Sequence, residues 1–210
     1  MLRQRDDDGR PVIELRVNGV FVMDTAETSS ERALAAAVLG AHPAPRRVLI
    51  GGLGLGFTLR EVLDDARVEQ VAVVEIEAAL VGWMRDGTVP HGPAYLADER
   101  VRVVEADLAV AVAEAARVAY DLVLLDVDNG PGYLVHDHNA ALYAGAFLST
   151  LRDLVEPGGA IAVWSAARSP DLLAELERSV GPTEERPIPV WLNAREEEYV
   201  LYLAWVPSQA

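Results

Sequence analysis

A mostly parallel α/β sheet with helices on both faces, finished by an antiparallel hairpin, is the fold the sequence predicts, and three observations predict it. From Arg46 onward, short runs of Val, Leu and Ile alternate with helical stretches, the pattern of strands buried on both faces. The first run passes through Gly51-Gly-Leu-Gly-Leu-Gly56 into a helix, as a strand does where backbone N–H groups approach a ligand at a helix start. The last two runs, residues 188–192 and 199–206, are separated only by residues 193–198. That connection is too short to cross over a sheet, so the two strands pair antiparallel.

Each element has its own signal. Residues 11–23 predict a short β hairpin turning at Asn18-Gly19, a dipeptide suited to a tight turn. Thr28-Ser-Ser-Glu31 has capping-box spacing before a helix over 32–39, which Gly40, Pro43 and Pro45 bring to an end. Residues 1–45 are expected as a β hairpin plus helix, and 46–210 as a Rossmann-like main domain. In that domain strands are predicted at 48–50, 71–75, 101–105, 122–125 and 161–164, and helices at 58–63, 78–84, 109–116 and 139–155. Ser169-Pro170 starts one more helix over 171–180 by N-cap and N1 preference.

Composition narrows the function classes. A chain of 210 residues can bury a sizeable core. No apolar run approaches the roughly 18 residues that span a bilayer, and Met1 to Arg10 is charged, so no membrane partner and a cytoplasmic location are expected. The absence of cysteine closes thiolate chemistry, and every basic side chain apart from histidine is arginine, which closes Schiff-base and lysine-base chemistry. A net charge of −15 argues against a nucleic-acid partner, which requires basic clusters. Cationic small molecules remain eligible, and the acidity also serves solubility.

In open α/β sheets the ligand lies beyond the carboxyl ends of the strands, and acidic residues stand there. The first strand leaves Gly51, Gly52, Gly54 and Gly56; the next ends at Glu75-Ile76, the third near Asp107, and the fourth at Asp126-Val-Asp128-Asn129. The glycines are expected to cradle a nucleoside, with Glu75 accepting from ribose hydroxyls and Ile76 lying on the base. Asp107 has two readings, acceptor from an adenine amino group or helix N-cap. Asp126 is placed to stabilise a positive centre or take a proton as general base, or else only caps the next loop.

An open parallel sheet with a terminal hairpin resembles the class I S-adenosylmethionine-dependent transferases over Arg46 to the last residue. A nicotinamide-dinucleotide fold fits less well, because Phe57 stands where G-x-G-x-x-G keeps its third glycine. More closely, five segments resemble the spermidine synthase family of polyamine aminopropyltransferases. They are His42-Pro-Ala-Pro-Arg-Arg-Val-Leu-Ile-Gly-Gly, Leu59-Arg-Glu-Val-Leu63, Val71-Ala-Val-Val-Glu-Ile-Glu77, Tyr120-Asp-Leu-Val-Leu-Leu-Asp126 and Leu154-Val-Glu-Pro-Gly-Gly159. The resemblance implies aminopropyl transfer from decarboxylated S-adenosylmethionine to a diamine, usually by a homodimer. Carried over by position, Glu75 would bind ribose, Asp107 adenine, and Asp126 would be the catalytic proton acceptor.

Departures from that pattern shift the expected chemistry. The family's glycine loop, Gly-Gly-Gly-Asp-Gly-Gly, holds the donor amine with its aspartate, and Gly51–Gly56 supplies none. Its Asp-x-x-Asp pair becomes Asp126-x-x-Asn129, with Asp128 adding a carboxylate, while its glutamine falls at Val22 and its Tyr-His near Ser29-Ser30-Glu31. A buried ammonium without a paired carboxylate is costly. Two expectations stand: a transferase using S-adenosylmethionine or its decarboxylated form on a small acceptor such as an amine, or a non-catalytic nucleoside-binding or dimerising relative. Asp128, Asn129, Tyr133 and Trp164 are expected to meet the acceptor, Tyr133 as part of a Gly130-Pro-Gly-Tyr lid. Trp191 and Trp205 are expected to pack the core. His136-Asp137-His138-Asn139 offers metal-ligand types. Cation-dependent O-methyltransferases, however, keep an acidic–amide pair where Trp164-Ser165 stands, so no metal is expected.

Overall fold

A computed structural model describes residues 1–7, 9–17, 19–115, 120–132, 134, 137–192 and 195–208. Two sheets organise them. The small sheet joins β1 (Leu2–Asp7), β2 (Arg10–Val17) and β3 (Val20–Asp24) in antiparallel order. It holds one strand more than the predicted hairpin. β1 escapes a hydropathy reading because Arg3 to Asp7 is exposed and charged; its register comes from pairing with β2 and from Arg5, which bridges to Asp24 at 2.8 Å.

The large sheet has seven strands: β4 (Arg47–Gly51), β5 (Gln70–Glu75), β6 (Val101–Glu105), β7 (Tyr120–Leu125), β8 (Val155–Ser165), β9 (Thr183–Leu192) and β10 (Arg195–Trp205). Their order is β6-β5-β4-β7-β8-β10-β9, with β10 antiparallel to both neighbours. The predicted mostly parallel sheet with a C-terminal antiparallel hairpin is what forms. Alternation along the strands builds a core on each face. Val48, Ile50, Leu122 and Leu124 point to one cluster, shared with β2 and β3 and with the first four helices; Leu49, Val123 and Leu125 point to the other.

The helices are α1 (Ser29–Ala41), α2 (Phe57–Asp64), α3 (Ala78–Asp86), α4 (Gly92–Leu96), α5 (Leu108–Glu114), α6 (Gly145–Arg152) and α7 (Pro170–Ser179). Ser169 caps α7 as expected, its hydroxyl accepting from the Leu172 N–H. The capping box at α1 does not form: Thr28 makes no side-chain cap, and Glu31 is buried. Gly40 does not end that helix either, since the backbone continues to Ala41 without needing a positive φ. The helix predicted over 139–155 is a 3-10 turn (Asp137–Tyr143), then α6, then the start of β8. Apolar spacing alone cannot separate those three. Asn18, at the predicted hairpin turn, lies outside the described residues.

Register creates the site. Gly51 is level with Val74 on one side and Leu125 on the other, so Gly52, Glu75 and Asp126 emerge at one sheet edge. That edge is the switch point, where chain order departs from β4 toward β5 on one side and β7 on the other. Open α/β sheets bind ligands there.

Candidate active site

A cleft of about 110 Å³ opens over this edge. Its floor is the glycine loop. The Gly52 N–H donates to the Val74 carbonyl at 2.9 Å, and the Asp126 N–H donates to the Gly51 carbonyl at 2.8 Å, so the strand ends are tied together. Gly52 has φ 94°, and a Cβ there would meet the Asp126 carbonyl oxygen at 2.1 Å. Only glycine fits. Gly54 has φ 49°, and a Cβ would lie 2.7 Å from Met23 Sδ. The same sulfur accepts the Leu55 N–H at 3.2 Å. The small sheet is therefore packed directly on the glycine loop. Gly56 caps α2 in a left-handed conformation, and Gly51 sits inside β4; neither lines the cleft, although Gly52 and Gly54 do.

Glu75 is 7% exposed and faces the cleft. Its two oxygens accept from the Leu53 N–H and the Glu77 N–H, both at 2.8 Å. Burial pushes its carboxyl above the usual carboxylate range, and those backbone bonds oppose the rise. Each carboxylate oxygen has a second lone pair, so the arrangement can still accept from a vicinal diol. Ile76 lines the same wall with 46% of its surface open, a large apolar side chain ready for a flat partner. Asp107 serves as the N-cap of α5: its Oδ1 accepts from the Ala109 and Val110 N–H groups at 2.8 and 3.3 Å. The cap uses one oxygen. The other, Oδ2, lies 4.0 Å from His138 Nε2, and Asp107 lines the cleft.

Across the cleft lies a second set of acids. Asp126 Oδ2 accepts from the Thr58 hydroxyl at 2.6 Å. Burial raises the Asp126 carboxyl to about 6, the Thr58 bond opposes this, and the Glu75 charge adds to it. Glu31, on α1, is 7% exposed and also lines the cleft. Its Oε2 accepts from Ser30 Oγ at 2.8 Å, and its backbone carbonyl lies 3.3 Å from the same Thr58 hydroxyl. Burial first, then the charge of Asp126, raises Glu31 to about 7. Two acids poised near neutrality at one wall can hold a cation or take up its proton.

The remaining predicted residues divide as follows. Asp128, Asn129 and Trp164 line the cleft. Asp128 has φ 55°, a left-handed conformation uncommon outside glycine, and Asn129 Nδ2 donates to the Phe21 carbonyl at 3.3 Å, tying this loop to β3. Trp164 is 6% exposed and packs edge-on against Tyr199 with ring centroids 4.8 Å apart. Trp205 packs against the core as expected. Tyr133, His136 and the Trp191 side chain lie outside the described residues. Among the described residues no group of three or more His, Asp or Glu is arranged to hold a metal.

Sequence reasoning passed over Glu31, Thr58 and Met23. Glu31 carried a signal: with Leu34, Ala35, Val38 and Leu39 it shares the buried stripe of α1, and an acid on an apolar stripe asks for a purpose. Thr58 and Met23 carried none, since each matters only through residues far away in the chain.

Fold and cleft together define a Rossmann-like methyltransferase architecture. Human Methyltransferase-like protein 13, solved with SAH, shares it at a TM-score of 0.60 and 20% identity over 85% of this chain and 80% of that one. A spermidine synthase solved with the transition-state analogue AdoDATO aligns at a TM-score of 0.80 and 17% identity, covering 99% of this chain and 74% of that one. Residues 27–178 match the family described as Spermine/spermidine synthase domain. The chain belongs to that family.

Among curated relatives, Polyamine aminopropyltransferase 2 of Pseudomonas aeruginosa is 36% identical over 59% of this chain and 34% of its own length. Polyamine aminopropyltransferase of Aeropyrum pernix is 32% identical over 69% and 48%. Putrescine N-methyltransferase 3 of Nicotiana tabacum is 33% identical over 59% and 31%. The chain thus spans less than half the length of each.

Proposed function

We propose that the protein is a transferase that binds S-adenosylmethionine or a closely related nucleoside and alkylates a small amine. The observation that carries this reading is the pairing of two walls in one cleft: Glu75 with Ile76 on one side, Asp126 with Glu31 on the other. Glu75 accepts the ribose hydroxyls, Ile76 packs on the base, and the second oxygen of Asp107 faces the base amino group. When bound, the donor supplies an alkyl group on a positively charged sulfur. Asp126 takes the proton that an ammonium must lose before its nitrogen can attack, and Thr58 holds the carboxylate in place. Glu31 adds negative charge beside it and favours cationic acceptors.

Relatives named for both aminopropyl and methyl transfer flank this chain. The loop Gly51–Gly56 carries no carboxylate for a donor ammonium. That supports the zwitterionic, carboxylated donor and methyl transfer, because a lone ammonium suffers more from the missing partner. A homodimer and a cytoplasmic location belong to the same reading. Titration calorimetry with S-adenosylmethionine, its decarboxylated analogue and methylthioadenosine tests it. Binding with preference for the carboxylated donor is expected; preference for the decarboxylated one would restore aminopropyl transfer. Binding of none would leave a non-catalytic relative.

A further inference from the structure

Thr58, on α2, is 2% exposed and packs between Asp126 and Glu31. A threonine hydroxyl on a helix usually turns back to a carbonyl of its own preceding turn. This one has partners 68 and 27 positions away: Asp126 Oδ2 at 2.6 Å and the Glu31 backbone carbonyl at 3.3 Å. Both accept when Asp126 is ionised, and a hydroxyl has one proton to give. The two can be served only in turn. Valine would fill the same space without burying a polar group, so the hydroxyl is present for its hydrogen bonds.

Proton uptake at Asp126 changes which acceptor is served. While the carboxylate is ionised, the Thr58 O–H donates to Oδ2, and 2.6 Å is the length of a charge-assisted bond. When Asp126 takes a proton from an ammonium, an N–H bond breaks, an Oδ2–H bond forms, and the new O–H donates to Thr58 Oγ. The hydroxyl keeps its own proton and turns it to the Glu31 carbonyl. That second bond is longer and neutral, so the exchange favours the ionised carboxylate. The other groups facing Asp126 press the opposite way: Glu75 from the end of β5 and Glu31 from α1 are both acids. Tyr143, from the 3-10 turn, faces Asp126 and Asp128 and spends its hydroxyl proton on the Val127 carbonyl at 2.8 Å. Resting on the reading of Asp126 as proton acceptor, we propose that Thr58 is a positioning residue whose hydroxyl reverses with the Asp126 proton, donating first to the carboxylate and then to the Glu31 carbonyl. It thereby keeps Asp126 ionised, and ready to take a proton, beside two other acids.

Carbon NMR titration of the Asp126 carboxyl in the whole chain, its signal identified by its loss in Asp126→Asn, tests this with two variants. Thr58→Val should raise the titration midpoint by about one pH unit, tenfold in proton affinity, as expected for losing a charge-assisted bond. Thr58→Ser keeps the hydroxyl and should move the midpoint by less than about 0.3 pH units. A second measurement reads the reversal itself and does not depend on Thr58→Val folding. In Glu31→Gln the side chain at position 31 no longer titrates, so the backbone carbonyl carbon there should shift with the same midpoint as the Asp126 carboxyl. An unmoved midpoint in Thr58→Val, or a carbonyl signal that does not follow Asp126, would overturn the inference. Calorimetry on the same wild-type sample keeps the two readings apart. Failure to bind S-adenosylmethionine with the titrations as expected would overturn the transferase reading and leave the hydroxyl reversal standing.

Discussion

The two walls of the cleft are built in opposite ways. The wall proposed for the nucleoside comes from neighbouring segments: Gly52, Gly54, Glu75 and Ile76 follow two adjacent parallel strands, and backbone hydrogen bonds fix their places. The wall proposed for the acceptor gathers Glu31 from α1, Thr58 from α2, Asp126 from the end of β7 and Trp164 from β8. One wall is backbone geometry with one acid; the other is side-chain charge assembled across the chain. Local geometry can be shared across a family, while charge collected from distant elements is free to differ and set the acceptor.

That contrast can be broken experimentally. The largest effect belongs to the acceptor wall: Asp126→Asn should lower kcat by roughly 10²–10⁴-fold, the range for losing a general base, while donor affinity changes less than about threefold. A comparable loss of donor binding would join the two walls into one unit. On the nucleoside wall, Gly52→Ala drives a Cβ against the Asp126 carbonyl. It should weaken S-adenosylmethionine by about 100-fold and destabilise the fold by about 2–4 kcal/mol, measured by calorimetry and denaturant unfolding.

A pH profile sharpens the comparison next. Glu31 and Asp126 hold their protons up to about 7 and about 6, so activity that depends on an ionised Asp126 should fall as pH drops through that window. Stability runs the other way. An acid whose folded pKa is raised binds more protons folded than unfolded, so the fold gains stability as pH falls through about 7 toward the ordinary carboxylate range. Glu31→Gln removes the cost of ionisation, and at pH 8 should be more stable than the wild type by on the order of 2 kcal/mol. Thermal melts should show that advantage vanishing near pH 4. An advantage that persists there would mean packing, not charge, is responsible.

The smallest effect concerns the seam between the small sheet and the loop. Met23→Ala removes the sulfur that accepts the Leu55 N–H and covers Gly54. Donor affinity should fall about three- to tenfold, as expected for one modest contact, with kcat unchanged.

That Gly52, Gly54, Glu75 and Ile76 share one cleft was legible in the sequence, because a glycine-rich strand-to-helix turn and an acid one strand later are local patterns with local causes. Asp126 and Trp164 were placed at the cleft by the same rule, that strand ends in a parallel sheet open onto one edge. Glu31 was misassigned because capping-box spacing and an apolar stripe overlap at that residue, and only packing of α1 over the sheet showed that the stripe prevails. β1 was missed since its side chains are exposed and its pairing with β2 is a backbone affair.

By itself, the sequence determined the alternation of strands and helices, the antiparallel closure and the residues at the strand ends, because each depends on periodicity and chain length within a short window. Tertiary structure alone decided that Met23 packs over Gly54, that Glu31 and Asp126 line one cleft with Thr58 bonded to Asp126, and that the Trp164 indole is left without an acceptor among the described residues. Those are contacts between residues tens of positions apart, and no local pattern encodes which distant side chain will fill a given space.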